Sequence, residues 1–262
     1  MKKLECLLGK NDMFHNLFKP KPKVEFFSLL PEVVDIQPII PACEYKPAWW
    51  SNAQKDFVEQ TKHENFGKEK FTHTVKCPGI FNLIRHGWIL KTWQDITIKT
   101  NGDKQTFEWT SSSSYGDDVV GFNPKDQLSD FYGGWNDSLN CVIKINTPWR
   151  CIVPKGYYLF ENSVPYSDDT HFTTLPGFYS QEYGVAQINV QLKWKATNDY
   201  IKIPAGTPIA HYMLIPQEHY SMVALPASNQ QKYLDHITNI EIEKRFVSDK
   251  GKSKCIFARL FK

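Results

Sequence analysis

The sequence predicts a mainly β protein, folded as a distorted barrel or sandwich with a few short helices. Three observations carry that prediction. First, Ile145 to Pro216 holds β-type runs punctuated by Pro-Gly and Lys-Gly turns, among them INTPWRCIV, YYLFENSV, VAQINVQLKW and PIAHYMLIP. Second, the chain carries 17 Phe, 12 Tyr and 8 Trp, residues that favour strands and large buried contacts. Third, hydrophobic residues make up 41% of its 262 residues, enough for a sizeable core.

Taken in order, residues 1–23 read as a flexible lead-in, because the prolines of KPKPK remove donors and fix φ. Val24 to Leu30 is a first strand. Residues 31–50 carry Pro31, Pro38, Pro41 and Pro47 and read as extended rather than helical. Ser51 to Thr61 reads as a short helix capped by Ser51. A second helix spans 78–86, with Pro78 at its first position and Gly87 ending it. Trp88 to Ile98 alternates as one strand, Asn101-Gly102 makes a hairpin turn, and Gln105 to Thr110 returns. Ser111 to Trp135 is rich in Ser, Gly, Asp and Asn and reads as a long polar loop. Cys141 opens the β-rich half, and Pro204 to Pro208 is a turn that starts a buried strand. A helix near 228–240 follows, then Cys255 to Phe261 as a final strand or a docking tail. The expected organisation is a lead-in (1–23), a single β-rich domain (24–216) and a C-terminal helix and tail (217–262).

Composition excludes several function classes. The net charge is only +3, and the basic lead-in at Lys19, Lys21 and Lys23 is too sparse to argue for a nucleic-acid partner. No apolar run approaches membrane-spanning length, which predicts no membrane partner. No signal-peptide pattern is present, which predicts synthesis in a cytoplasm. The cysteines (Cys6, Cys43, Cys77, Cys141, Cys151 and Cys255) form no C-x-x-C pair and read as reduced, buried thiols.

Motifs for chemistry are sparse. Asp168, Asp169 and His171 form the best metal-like cluster, with His211 on a later strand, but no H-x-H, H-x-D or H-E-x-x-H supports it. No nucleophile elbow and no phosphate loop occur, so no cofactor, metal or catalytic residue is predicted. Most tryptophans read as core. Trp49, Trp50 and Trp135 fall in expected loops and are the candidate interface anchors.

Two resemblances enter on particular residues. MFHNLFKPKPKVEFFSLLPEV from Met13, KCPGI at 76–80, the block from Pro148 to Tyr157, LPG at 175–177 and IPAGTPIA at 203–210 resemble a family of uncharacterised proteins from marine tailed phages. This implies a phage-type origin. Separately, PGFYSQEYG, INVQL and IPAGTPIAHYMLIP are similar to late strands of the dUTPase and dCTP-deaminase β-barrel, the β-clip type. Aligned on Gly177, that resemblance puts Tyr183 at the family's turn aromatic and Ser180 where the family has its catalytic aspartate. A hydroxyl of ordinary acidity does not replace a carboxylate as a base. The family's phosphate motif has no match at Phe160 to Ser163.

The expectation is a non-catalytic phage-type β protein in a binding or structural role, a virion component or infection accessory factor. Its setting is the infected cell's cytoplasm or the virion, and its partner is a protein or further copies of itself. The rival expectation is an enzyme acting on a nucleotide or small metabolite. Its pocket would draw on His171, Ser180, Glu182, Tyr183 and His211.

Overall fold

The computed structural model describes residues 21–62, 73–112, 118–127, 137–167 and 169–224. Asp168, Trp135, Lys19, the 228–240 helix and the Cys255–Phe261 segment lie outside them. The elements begin with β1 (Glu25–Ser28), α1 (Pro31–Ile36), β2 (Ile40–Pro41), α2 (Ala48–Gln60) and α3 (Pro78–Arg85). Next come β3 (Trp88–Lys91), β4 (Ile96–Asn101), β5 (Phe107–Ser111), β6 (Val120–Pro124) and β7 (Cys141–Ile152). The last are β8 (Tyr157–Asn162), β9 (Phe172–Thr174), β10 (Gly177–Ser180), β11 (Ala186–Trp194), β12 (Asn198–Ile203) and β13 (Pro208–Pro216).

The protein is mainly β, and none of its antiparallel sheets closes into a barrel. The first sheet runs β1-β7-β11-β9, with β6 also on β7. The long β7 carries β6 along Cys141–Ile145 and β1 along Trp149–Ile152, while β11 lines its other edge. The second sheet runs β10-β8-β13-β3-β2, and the third β12-β4-β5. Strand alternation sends Ile143, Ile145, Ile188, Val190 and Leu192 into a common core with Ile96 and Ile98 of the third sheet. Phe26 of β1 meets Trp88 of β3 and Tyr212 of β13, with centroids at 5.7 and 6.2 Å, so the first two sheets pack face to face.

The chain groups into two compact units, residues 1–52 with 82–217 and residues 53–81 with 218–262. All the described strands fall in the first. Within the second unit, Lys76 Nζ lies 5.7 Å over the Phe57 ring, and His73 Nδ1 accepts the Val75 N–H.

Several local expectations are corrected. Residues 31–50 are not uniformly extended: Pro31 opens α1, because a proline at a first helical position lacks only an N–H that has no helical partner anyway. The next helix begins at Ala48, not Ser51. The Trp50 and Ser51 N–H groups reach the Pro47 carbonyl, so Ser51 lies inside the helix and Trp49 and Trp50 are helical rather than looped. The single strand expected at 88–98 is two strands in different sheets. Thr92 causes the break: its Oγ1 donates to the Pro204 carbonyl at 2.7 Å and its N–H to Thr207. The expected loop 111–135 contains β6. The thiols are not uniformly buried, since Cys43 and Cys77 are exposed while Cys141 and Cys151 are enclosed. Burial pushes the Cys141 thiol up to about 11 and, with the Glu161 charge adding, Cys151 to about 12.

Other expectations hold. The Asn101-Gly102 turn joins β4 to β5, with Gly102 at φ 79°. Asp103 closes that loop, held down to about 2 by the Thr106 and Gln105 backbone N–H groups. Gly87 ends α3 at φ 85°, where an added Cβ would sit 1.9 Å from the Tyr212 carbonyl oxygen, so no other residue fits.

Candidate functional site

Two polar clusters lie in the first unit, one sealed and one open. The sealed one follows from strand period. Glu161 stands opposite Gly177 of β10 on one side and Tyr212 of β13 on the other. Residues two apart share a face, so Tyr179 reaches diagonally across the space that Gly177 leaves. Both tyrosine hydroxyls donate to Glu161 Oε2, Tyr179 at 3.3 Å. The Tyr179 oxygen also takes the Asn189 N–H at 3.4 Å, beside the β-bulge of β11 between Gln187 and Asn189. Glu161 is 3% exposed. Loss of water pushes its carboxyl up to about 7, against the opposing pull of the two hydroxyls, and burial pushes both phenols above their ordinary range.

The open cluster lies where β9 of the first sheet meets the start of β13. Ser163 Oγ donates to the Thr174 carbonyl at 2.8 Å, and Thr174 Oγ1 donates to the Ile209 carbonyl, which ties the two sheets together there. Between them is a cleft of about 190 Å³. Phe172 and Pro208 line it together with the polar Ser167, Asp169 and Thr173, and the buried Val164 and Ile209 border it. The loop that builds it is a chain of short polar side chains bonding backbone two residues on. Ser167 Oγ accepts the Asp169 N–H at 3.1 Å, and Asp169 Oδ1 accepts the His171 N–H at 2.8 Å. The same oxygen meets His171 Nδ1 at 3.2 Å. The His171 side chain is 41% exposed and Asp169 22%. The carboxylate thus orients an imidazole whose Nε2 and whose own Oδ2 take no partner among the described residues. An oriented imidazole of this kind can donate or accept a hydrogen bond or a proton.

The sequence-predicted residues do not converge on one site. His171 stands beside the cleft. His211 is fully buried elsewhere: its Nε2–H donates to the His86 carbonyl at 2.6 Å and secures the end of α3, and desolvation lowers its pKa. Ser180 is buried at the end of β10, level with Tyr158, whereas His211 is level with Asn162. Four residues of strand therefore separate those levels, about 13 Å. Glu182 and Tyr183 are exposed in the turn after β10. Trp50 is buried in α2, and the Trp49 ring meets Trp50 and Tyr166, each at 5.4 Å. Sequence reasoning missed Glu161. Its signal was a lone acid in register with Tyr157 and Leu159 in an otherwise apolar strand.

The outer face of the second sheet carries a strip of rings. Phe178 of β10 lies 5.3 Å from Tyr158 and 5.0 Å from Phe160 of β8, and Phe178 is 56% exposed. Among the described residues β10 is an edge strand of that sheet, as β2 is at the other side. No helix among the described residues is long and apolar enough to cross a membrane. The chain matches no protein-family model and no curated protein.

Proposed function

We propose that this chain is a non-catalytic β protein of phage type with a binding or structural role, a virion component or an infection accessory factor that self-associates. The observation that carries the reading is the ring strip Tyr158–Phe178–Phe160 beside the edge strand β10. A strand edge with open backbone groups and exposed aromatics favours pairing. An edge strand pairs antiparallel with its own copy about a two-fold axis, so a second copy is the partner that suits it. The phage-like motifs around KCPGI and IPAGTPIA support the setting. At micromolar concentration, sedimentation is expected to give a dimer or larger species, and Phe178→Asp is expected to shift it to monomer. Proteomics of purified particles is expected to find the chain in stoichiometric copies if it is a virion component. A wild-type monomer that is also absent from particles and captures no phage protein overturns the reading.

One observation favours the second reading, an enzyme acting on a nucleotide or small metabolite. Asp169 holds His171 beside a cleft, as a carboxylate orients a general base. Turnover of any deoxynucleotide by pure protein, lost in His171→Ala, would establish it over the first.

A further inference from the structure

We infer that the cleft between β9 and the start of β13 binds a single neutral sugar ring. This site is separate from the β10 edge and independent of the self-association reading. Size is the first argument. At about 190 Å³ the cleft falls below the roughly 300 Å³ at which drug-sized ligands begin, so it accommodates one ring rather than a whole nucleotide.

Shape of the lining is the second. Phe172 stacks on Trp194, with centroids 5.7 Å apart and planes at 12°, which holds its ring in a fixed plane. Phe172 lines the cleft together with Pro208, and the fully buried Ile209 borders it. The same cleft is lined by Ser167 and by Asp169, which supply a hydroxyl and a carboxylate. A pyranose has the same division: a C–H face that packs on an aromatic ring and a rim of hydroxyls that both donate and accept. Asp169 Oδ2 is an acceptor for two adjacent hydroxyl protons, a charge-assisted contact stronger than a neutral one.

Charge is the third. No lysine or arginine lines the cleft among the described residues, while a carboxylate does. Phosphate and carboxylate ligands are held by Arg, Lys or backbone N–H donors and are repelled by a carboxylate. The lining therefore selects a neutral polyol over a sugar phosphate or a nucleotide.

Ligand-observed NMR tests this, using the whole chain with glucose, galactose, mannose and N-acetylglucosamine, then glucose 6-phosphate and deoxyuridine. At least one neutral sugar is expected to bind in the millimolar range. Asp169→Asn is expected to weaken it about tenfold, the loss of one charge-assisted contact. Ser167→Arg, at an exposed loop position that lines the cleft, is expected to obstruct it and abolish binding while leaving the circular dichroism spectrum unchanged. The phosphorylated sugar is expected to bind more weakly than its parent. The inference is overturned if no neutral sugar binds, if Ser167→Arg leaves binding intact, or if deoxyuridine or the phosphate is preferred. None of these outcomes bears on association through β10.

Discussion

Glu161 and Asp169 are eight positions apart in the chain, one on a strand and one in the loop that follows it. Glu161 lies on the face of β8 that meets the first sheet, with two tyrosine hydroxyls on one of its oxygens and 3% exposure. Asp169 lies past the strand end, at 22% side-chain exposure, with one oxygen on His171 and the other without a partner among the described residues. The sealed acid is held neutral up to about pH 7 and acts as a hydrogen-bonding link between β8, β10 and β13. The open one orients an imidazole and faces a cleft. The same functional group is structural or ligand-facing according to whether strand alternation or a loop presents it.

Removing each acid is the strongest way to break the comparison. Glu161→Ala leaves a cavity and two buried hydroxyls without their acceptor, and is expected to cost about 3–5 kcal/mol in urea denaturation at mildly acidic pH, where Glu161 is protonated. Asp169→Ala loses only loop contacts near solvent and is expected to cost about 1 kcal/mol or less. Equal costs would show that the two environments do not differ as described.

Acidity gives the next largest effect. Glu161 has its folded pKa raised from 4.5 to about 7. Below pH 4.5 it is neutral in both folded and unfolded chains, and its contribution to stability is fully present. As pH rises toward about 7, the unfolded chain has released the proton and the folded chain still holds it, so stability falls, by about 3 kcal/mol in total. Above about 7 the contribution is gone and the dependence on this group is flat. Glu161→Gln, neutral at every pH, is expected to remove that slope while retaining the hydroxyl contacts. Superimposable stability-against-pH curves for the two proteins would refute the assignment.

The smallest effect sharpens the comparison within the sealed cluster. Tyr212→Phe removes one of the hydroxyl donors to Oε2 while leaving the ring in the core. It is expected to cost about 1–2 kcal/mol and to raise the Glu161 pKa further, since the donation favours the charged form. The NMR titration of the Glu161 side-chain carboxyl carbon reads that shift directly.

Parts of this architecture were legible in the residues. Alternation in β7, β11 and β13 is strong because Ile143, Ile145, Ile188, Val190, Leu192 and Tyr212 must all reach one core. Pro78 and Gly87 marked both ends of α3. Other parts were hidden. The five residues of β6 include Gly121 and Asn123, poor strand formers that owe their conformation to the partner β7. The candidate cleft was half visible: Asp169 and His171 read as a polar pair, but Phe172, Thr173 and Pro208 did not, since they come together only when β9 and β13 approach.

What the chain determined by itself was local: period-two alternation, turn glycines, and proline positions that set where strands and helices start. The tertiary structure decided which polar residues lose water. Glu161 and Asp169 carry the same functional group eight positions apart, and the sequence does not state which of them is sealed from water. The burial of Glu161 is set by long-range strand pairing between Gly177, Glu161 and Tyr212, whereas Asp169 is held by its own loop through Ser167 and His171.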